Sequence, residues 1–183
     1  MAWETVQKTE RPDWPTPNLD DYGAAYAGFS WDQARAALTG LPDGGLNIAF
    51  EAVDRHLDEA RGDKTAIRWL GKDLEQRDIS YRELAALTSR FAHLLERLGV
   101  ARGERVFSLL GRAPELYVAA LGTLKAGRVF SPLFSAFGPE PVQARMEIGD
   151  ARVLVTTSAY YRRKVAPWRA TLPGLEHVLL TDA

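Results

Sequence analysis

Residues Arg105 to Thr157 read RVFSLLGRAPELYVAALGTLKAGRVFSPLFSAFGPEPVQARMEIGDARVLVTT. Three short apolar runs, Val106–Leu110, Val129–Leu133 and Val153–Val155, alternate here with two helix-length spacers. Val- and Leu-rich runs without polar alternation predict strands covered on both faces. Strands joined through helical spacers predict right-handed βαβ units and a parallel sheet. The expected fold class is therefore α/β, a parallel sheet with flanking helices. In such sheets ligands bind beyond the carboxyl ends of the strands. Gly111–Arg112, Phe134–Gly138 and Thr156–Lys164 then share one rim.

The spacers carry their own signals. Pro114 and Glu115 suit a first helical turn, and Lys125 and Gly127 suit a last one. Ala119, Ala120 and Gly122 thin part of that helix for close approach to a sheet. Pro139 and Glu140 open a helix through about Ile148. Ser158–Val165 reads as a helix or turn broken by Pro167, and His177–Thr181 as a further strand. A buried parallel strand with only Asp182 and Ala183 after it predicts a piece of a longer protein.

Upstream, Ser80 followed by Glu83 forms a capping box. Leu84, Leu87, Phe91, Leu94, Leu95 and Leu98 follow on one helical face, and Gly99 stops the helix as a left-handed cap. Thr65–Leu70 and Gln76–Ile79 flank the polar turn Gly71-Lys72-Asp73, the pattern of a β-hairpin. Asn47 is placed to cap a helix through about Ala60, with Ile48, Ala52, Val53 and Leu57 inward. Ser30 caps a shorter helix through Ala37 or Leu38, with Gly40 as its stop. Residues 1–28 interleave Pro12, Pro15 and Pro17 with Trp3, Trp14, Tyr22 and Tyr26. They read as an extended arm laid on a surface or as a loose terminus. The expected organisation is an arm and short helix over 1–45 and an α/β subdomain over 46–183.

Composition narrows the function. A net charge of −1 in 183 residues argues against a nucleic-acid binder, which needs many phosphate contacts. Zero cysteines remove disulfide and thiolate chemistry. No apolar run reaches the roughly 18–20 residues of a membrane span, and the start lacks a secretory pattern. A cytoplasmic protein that meets no membrane is expected.

Few motifs carry chemistry. Gly122–Gly127 has P-loop glycine spacing, but Arg128-Val129 stand where Lys-Ser/Thr is required and a strand follows rather than precedes. A helix end explains it better. No G-x-G-x-x-G occurs, which disfavours a flavodoxin-like nucleotide binder. His56, His93 and His177 lack metal-ligand spacing, and Asp54, Glu59 and Glu147 read as solvated ion-pairing positions. No self-contained catalytic group emerges. Between Ala151 and Leu175 stand Arg152, Arg162, Arg163, Lys164 and Arg169 with no acid. Arg162-Arg163-Lys164 follow a strand onto the rim, where a guanidinium pair suits phosphate; a solvated patch or a docking surface is the other reading. Phe134 and Phe137, flanking Ser135 and Ala136, either wall a channel or plug the core.

LNIAFEAVDRH (46–56), ISYRELAALTSRFAHLLERLGVARGERV (79–106), PELYVAALGTLKAGRVFSPLFSAF (114–137) and ARVLVTT (151–157) resemble the N-terminal part of AMP-forming acyl-CoA synthetases. The nearest branch is the acetate and short-chain one. The resemblance implies that a carboxylate and ATP form an acyl-AMP, which coenzyme A attacks to release AMP. The family's phosphate loop, magnesium carboxylate, ribose aspartate and catalytic lysine fall downstream of the matched region. What carries over is a partial, weak coenzyme A site: Phe134, Ser135 and Ala136 on its wall, with Arg162 or its neighbours Arg163 and Lys164 at the 3′-phosphate. The family's usual Phe-Gly-Gly-Phe is Phe134-Ser135-Ala136-Phe137 here. No catalytic residue and no metal ligand is assigned, and ATP and magnesium are expected only in the full-length parent. The competing class is a non-catalytic interaction module that docks a separately encoded second half or another protein.

Overall fold

The computed structural model describes residues 17–57 and 61–183. By internal contact the chain divides into two units, 1–38 and 39–183. In the first, α1 (Tyr22–Gly28) and α2 (Trp31–Ala36) are each capped by the side chain before them. Asp21 accepts from the Ala24 N–H at 2.9 Å and Ser30 Oγ from the Gln33 N–H at 3.2 Å. The Ser30 start is as predicted. The helix at Tyr22–Gly28 corrects the expected arm. The prolines end at Pro17, and Asp21 then caps an alanine-rich turn. The arm's first 16 residues lie outside the described residues.

The second unit is built on four parallel strands: β3 (Arg105–Leu109), β4 (Val129–Pro132), β5 (Ala151–Thr156) and β6 (His177–Leu180). Their order across the sheet is β4-β3-β5-β6. The crossovers are α5 (Pro114–Lys125), α6 (Pro139–Ile148), and α7 (Ser158–Lys164) with a 3₁₀ turn at Ala166–Thr171. The order reverses direction between β3 and β5, the place where doubly wound sheets open a binding crevice.

Both faces of β3 and β5 are covered, as their unbroken apolar runs require, whereas β4, at the sheet edge, leaves Val129 and Pro132 exposed and corrects the expectation for that run. Val106, Leu110, Val153 and Val155 pack with Ala119 of α5 and with Leu95 of α4 (Tyr81–Arg97). Phe107, Leu109 and Leu154 pack with Val142 and Met146 of α6 and with Val165, Leu172 and Leu175. A fully buried leucine such as Leu154 contributes about 2–3 kcal/mol relative to an exposed one.

The antiparallel hairpin β1 (Thr65–Leu70) and β2 (Gln76–Ser80) leads into α4. Ser80 Oγ accepts from the Glu83 N–H at 3.1 Å, and Gly99 takes the predicted left-handed conformation at φ +71°. Leu84 and Leu95 are buried, whereas Leu87, Phe91, Leu94 and Leu98 are half-buried. Gly122 approaches α4 rather than the sheet. A Cβ there would stand 2.8 Å from both Thr88 O and Phe91 Cδ1.

The segment after Asn47 departs from expectation. Helix α3 spans only Ile48–Ala52, and a 3₁₀ turn at Asp54–His56 follows. Residues 58–60, the predicted helix end, lie outside the described residues. Ala49 and Val53 are buried while Ile48 is exposed. The reason is tertiary. Asn47 Nδ2 donates to Leu124 O and Lys125 O, and Lys125 Nζ donates to Asp54 Oδ1 at 2.8 Å. The segment is thus registered on the end of α5, not on its own period. Asp54 belongs to this half-buried ion pair, where the sequence suggested a solvated position.

Candidate functional site

Because the four strands are parallel, their carboxyl ends share one edge, and the segments leaving them form the predicted rim. The corner is closed from within. Thr156 Oγ1 donates to Leu109 O at 2.8 Å, Leu133 N–H to Ser108 O at 2.7 Å, and Thr181 N–H to Thr156 O at 3.0 Å. The hairpin also reaches this edge. Trp69 Nε1 donates 2.8 Å to Arg112 O, so Trp69 covers the chain just beyond β3.

The loop after β4 resolves the two readings of its aromatics by splitting them. Phe137 is half-buried against the α6 side of the core. Phe134 is 64% exposed and meets Phe137 edge-on at 5.5 Å. One ring packs on the core and the other stands exposed beside it. The Arg145 guanidinium lies over the Phe137 ring at 4.3 Å, a cation–π contact that anchors the plug from α6.

The basic run is less free than its sequence implies. Arg152 pairs with Glu176 and lies 3.6 Å from Glu104. Arg169 donates to the carbonyls of Leu172 and Leu175. Lys164 Nζ donates to Ser135 O and to Phe137 O, both at 2.6 Å. Three of the five cations therefore hold the fold. The other two are Arg162 and Arg163, both exposed on α7. Arg163 Nε donates to Ala159 O at 3.3 Å, and its guanidinium stands 5.8 Å from the Tyr160 ring.

Lys164 brings the two predicted site segments together. It stands on the same turn as Arg162 and Arg163 and bonds the loop holding Phe134, Ser135 and Ala136. Beside them, Asp182 accepts from the Ser158 N–H at 2.7 Å and from its hydroxyl at 3.0 Å. The Ser158 N–H bond holds the Asp182 carboxyl below the usual carboxylate range against a burial penalty, and the nearby Arg162 charge adds to the effect.

Sequence reasoning missed Arg145, Trp69 and Asp182, and named Lys164 as a phosphate candidate without its bonds to the Ser135 and Phe137 carbonyls. None has a local signal, since each acts on a residue between 8 and 43 positions away. Among the described residues, no three His, Asp or Glu side chains gather in a metal-binding group. No helix there is long and apolar enough to cross a membrane.

Comparison with known proteins supplies the kinship. The profile of the AMP-binding enzyme family matches residues 53–183. Acetyl-coenzyme A synthetase of Bacillus subtilis is 35% identical over 164 residues, 89% of this chain and 28% of the relative. That of Halorhodospira halophila is 41% identical over 128 residues, 69% of this chain and 20% of the relative. The crystal structure of Brucella canis acyl-CoA synthetase superposes with a TM-score of 0.77 at 31% identity, over 90% of this chain and 29% of that one. The chain thus spans about a quarter of the length of these proteins. On the family match over most of its length and the shared parallel sheet, the chain belongs to the AMP-binding enzyme family.

Proposed function

We propose that this chain forms the coenzyme A-facing wall of an AMP-forming ligase for acetate or another short-chain carboxylate. In that reaction the carboxylate attacks ATP to give acyl-AMP and pyrophosphate. The coenzyme A thiol then displaces AMP to give acyl-CoA. Arg162 and Arg163 are the groups suited to the 3′-phosphate. Both are exposed and neither forms a salt bridge among the described residues, Asp182 lying near enough to Arg162 only to feel its charge, and guanidinium matches phosphate geometry. Phe134 offers an apolar face, with Ser135 and Ala136 beside it.

The observation carrying this reading is the Lys164 bridge, which makes the Phe134–Phe137 loop and the Arg162–Arg163 turn one surface on the ligand edge of the sheet. The names of the relatives support the same chemistry. Side chains at Ser135 and Ala136 hold a ligand farther from the backbone than paired glycines would. The site is therefore partial and its affinity modest.

In this reading ATP, magnesium and the reacting carboxylate are held by the rest of the enzyme, a cytoplasmic one, and the chain alone has no ligase activity. The test mixes the purified chain with ATP, magnesium, acetate and coenzyme A, and follows pyrophosphate release and ligand binding. Weak coenzyme A binding without pyrophosphate release is expected. Sustained pyrophosphate release, or binding of ATP with none of coenzyme A, overturns the assignment.

A further inference from the structure

Lys164 has no ligand role in this account, yet its geometry is specific. The residue is half-buried, its ammonium lies 5.0 Å from the Tyr160 ring centroid, and its two hydrogen bonds go to backbone carbonyls of one loop. Among the described residues it pairs with no carboxylate. A lysine that only served solubility would keep its head in water.

The consequence follows from peptide geometry. In a trans peptide the carbonyl of one residue and the N–H of the next point in opposite directions, and the described residues hold no cis bond. With Ser135 O and Phe137 O drawn to Lys164, the N–H groups of Ala136 and Gly138 face away from it. Neither donates to any acceptor among the described residues, whereas the intervening Phe137 N–H is taken by Phe134 O at 3.0 Å. Both residues are exposed. The Arg145 contact on Phe137 holds the same loop from α6, so cations on two helices fix its shape before any ligand arrives.

We infer that Lys164 is a positioning residue, which turns the carbonyls of Ser135 and Phe137 inward and so presents the Ala136 and Gly138 N–H groups to an acceptor oxygen of the ligand. This rests on the coenzyme A reading, because amide and phosphate oxygens of coenzyme A are acceptors of that kind. It also gives the Ser-Ala sequence a physical sense. Fixed orientation of the backbone donors replaces the close approach that glycine would allow.

The test compares the chain with its Lys164→Met and Lys164→Arg variants by amide-resolved NMR. Without ligand, the Phe137 amide should exchange roughly tenfold faster in Lys164→Met and near the parental rate in Lys164→Arg, which keeps two donors. Unchanged exchange in Lys164→Met refutes the clasp. With coenzyme A, the Ala136 and Gly138 amides should shift in the parent, and affinity should fall roughly tenfold in Lys164→Met and return in Lys164→Arg. Pantetheine and adenosine 3′,5′-bisphosphate, added separately, assign the oxygen to an amide or to a phosphate.

Equal affinity of parent and Lys164→Met, or coenzyme A binding that leaves both amides unmoved, overturns the positioning role. If the clasp is present but the parent binds no coenzyme A, the proposed function falls and the clasp stands. Should Lys164→Met fail to fold, the parent's own amide shifts decide.

Discussion

The crossing of α4 and α5 at Gly122 is sharply constrained by the fold. A methyl group placed there would lie 2.8 Å from Thr88 O, 2.8 Å from Phe91 Cδ1 and 2.9 Å from Phe91 Cβ. Thr88 is fully buried and its hydroxyl is bonded to Leu84 O and Ala85 O, so that backbone cannot simply lean away. The helices must part by more than half an ångström to restore ordinary contact. Overpacking of this kind costs about 1–3 kcal/mol, while Gly→Ala in a helix returns about 0.8–1 kcal/mol. The net expectation for Gly122→Ala is a loss of about 1 kcal/mol. Gly122→Val adds bulk without the full helix gain and should lose roughly 2–4 kcal/mol. Urea unfolding followed by far-ultraviolet circular dichroism measures both. The midpoint should fall in the order parent, alanine, valine, with an unchanged slope, and Tm by about 2–4 °C per kcal/mol. A Gly122→Ala variant as stable as the parent would show that the two helices are not in van der Waals register and would refute the argument.

Lys125→Met removes the bond to Asp54 and leaves a half-buried carboxylate without its cation. It should cost about 2 kcal/mol in the same urea assay, and a change under 0.5 kcal/mol would contradict the role given to this pair. The Glu51 carboxyl is held below the usual range first by the Arg55 side chain, then by the Gly40 N–H. A folded value below the unfolded one means that the unfolded chain binds protons first. Its stabilisation is therefore complete above the ordinary value of 4.5 and lost as pH falls through the lowered one. Glu51→Gln should flatten that acid limb, and an identical acid profile for the two chains would refute the linkage.

The sheet was legible because three apolar runs without polar alternation, set apart by helix-length spacers, read as strands, although only β3 and β5 proved buried on both faces and β4 is an exposed edge. Helix α4 was legible for the complementary reason: Ser80, the leucine series and Gly99 are local signals that agree. The segment after Asn47 was not legible. Its length is set by contacts with Leu124, Lys125 and Asp54, more than 70 residues apart for the Asn47 bonds. At the site, sequence set the loop and the basic turn on one rim but did not show the Lys164 bonds that join them. Charge counting grouped Arg152, Arg162, Arg163, Lys164 and Arg169, and strand order set Arg162, Arg163 and Lys164 on the rim. Packing then separates Lys164, bonded to two carbonyls, from Arg162 and Arg163, and shows Arg152 and Arg169 spent on an ion pair and on carbonyls.

That separation is the central claim, and one titration tests it most directly. Calorimetry of the chain with coenzyme A and with 3′-dephospho-coenzyme A isolates the phosphate. An exposed guanidinium pair should favour coenzyme A by roughly tenfold at low salt, less as salt screens the contact. The double variant Arg162→Ala, Arg163→Ala should bring the two ligands to equal affinity. Equal binding of both by the unaltered chain, or a preference that survives in the double variant, would contradict the assignment of Arg162 and Arg163 to the phosphate.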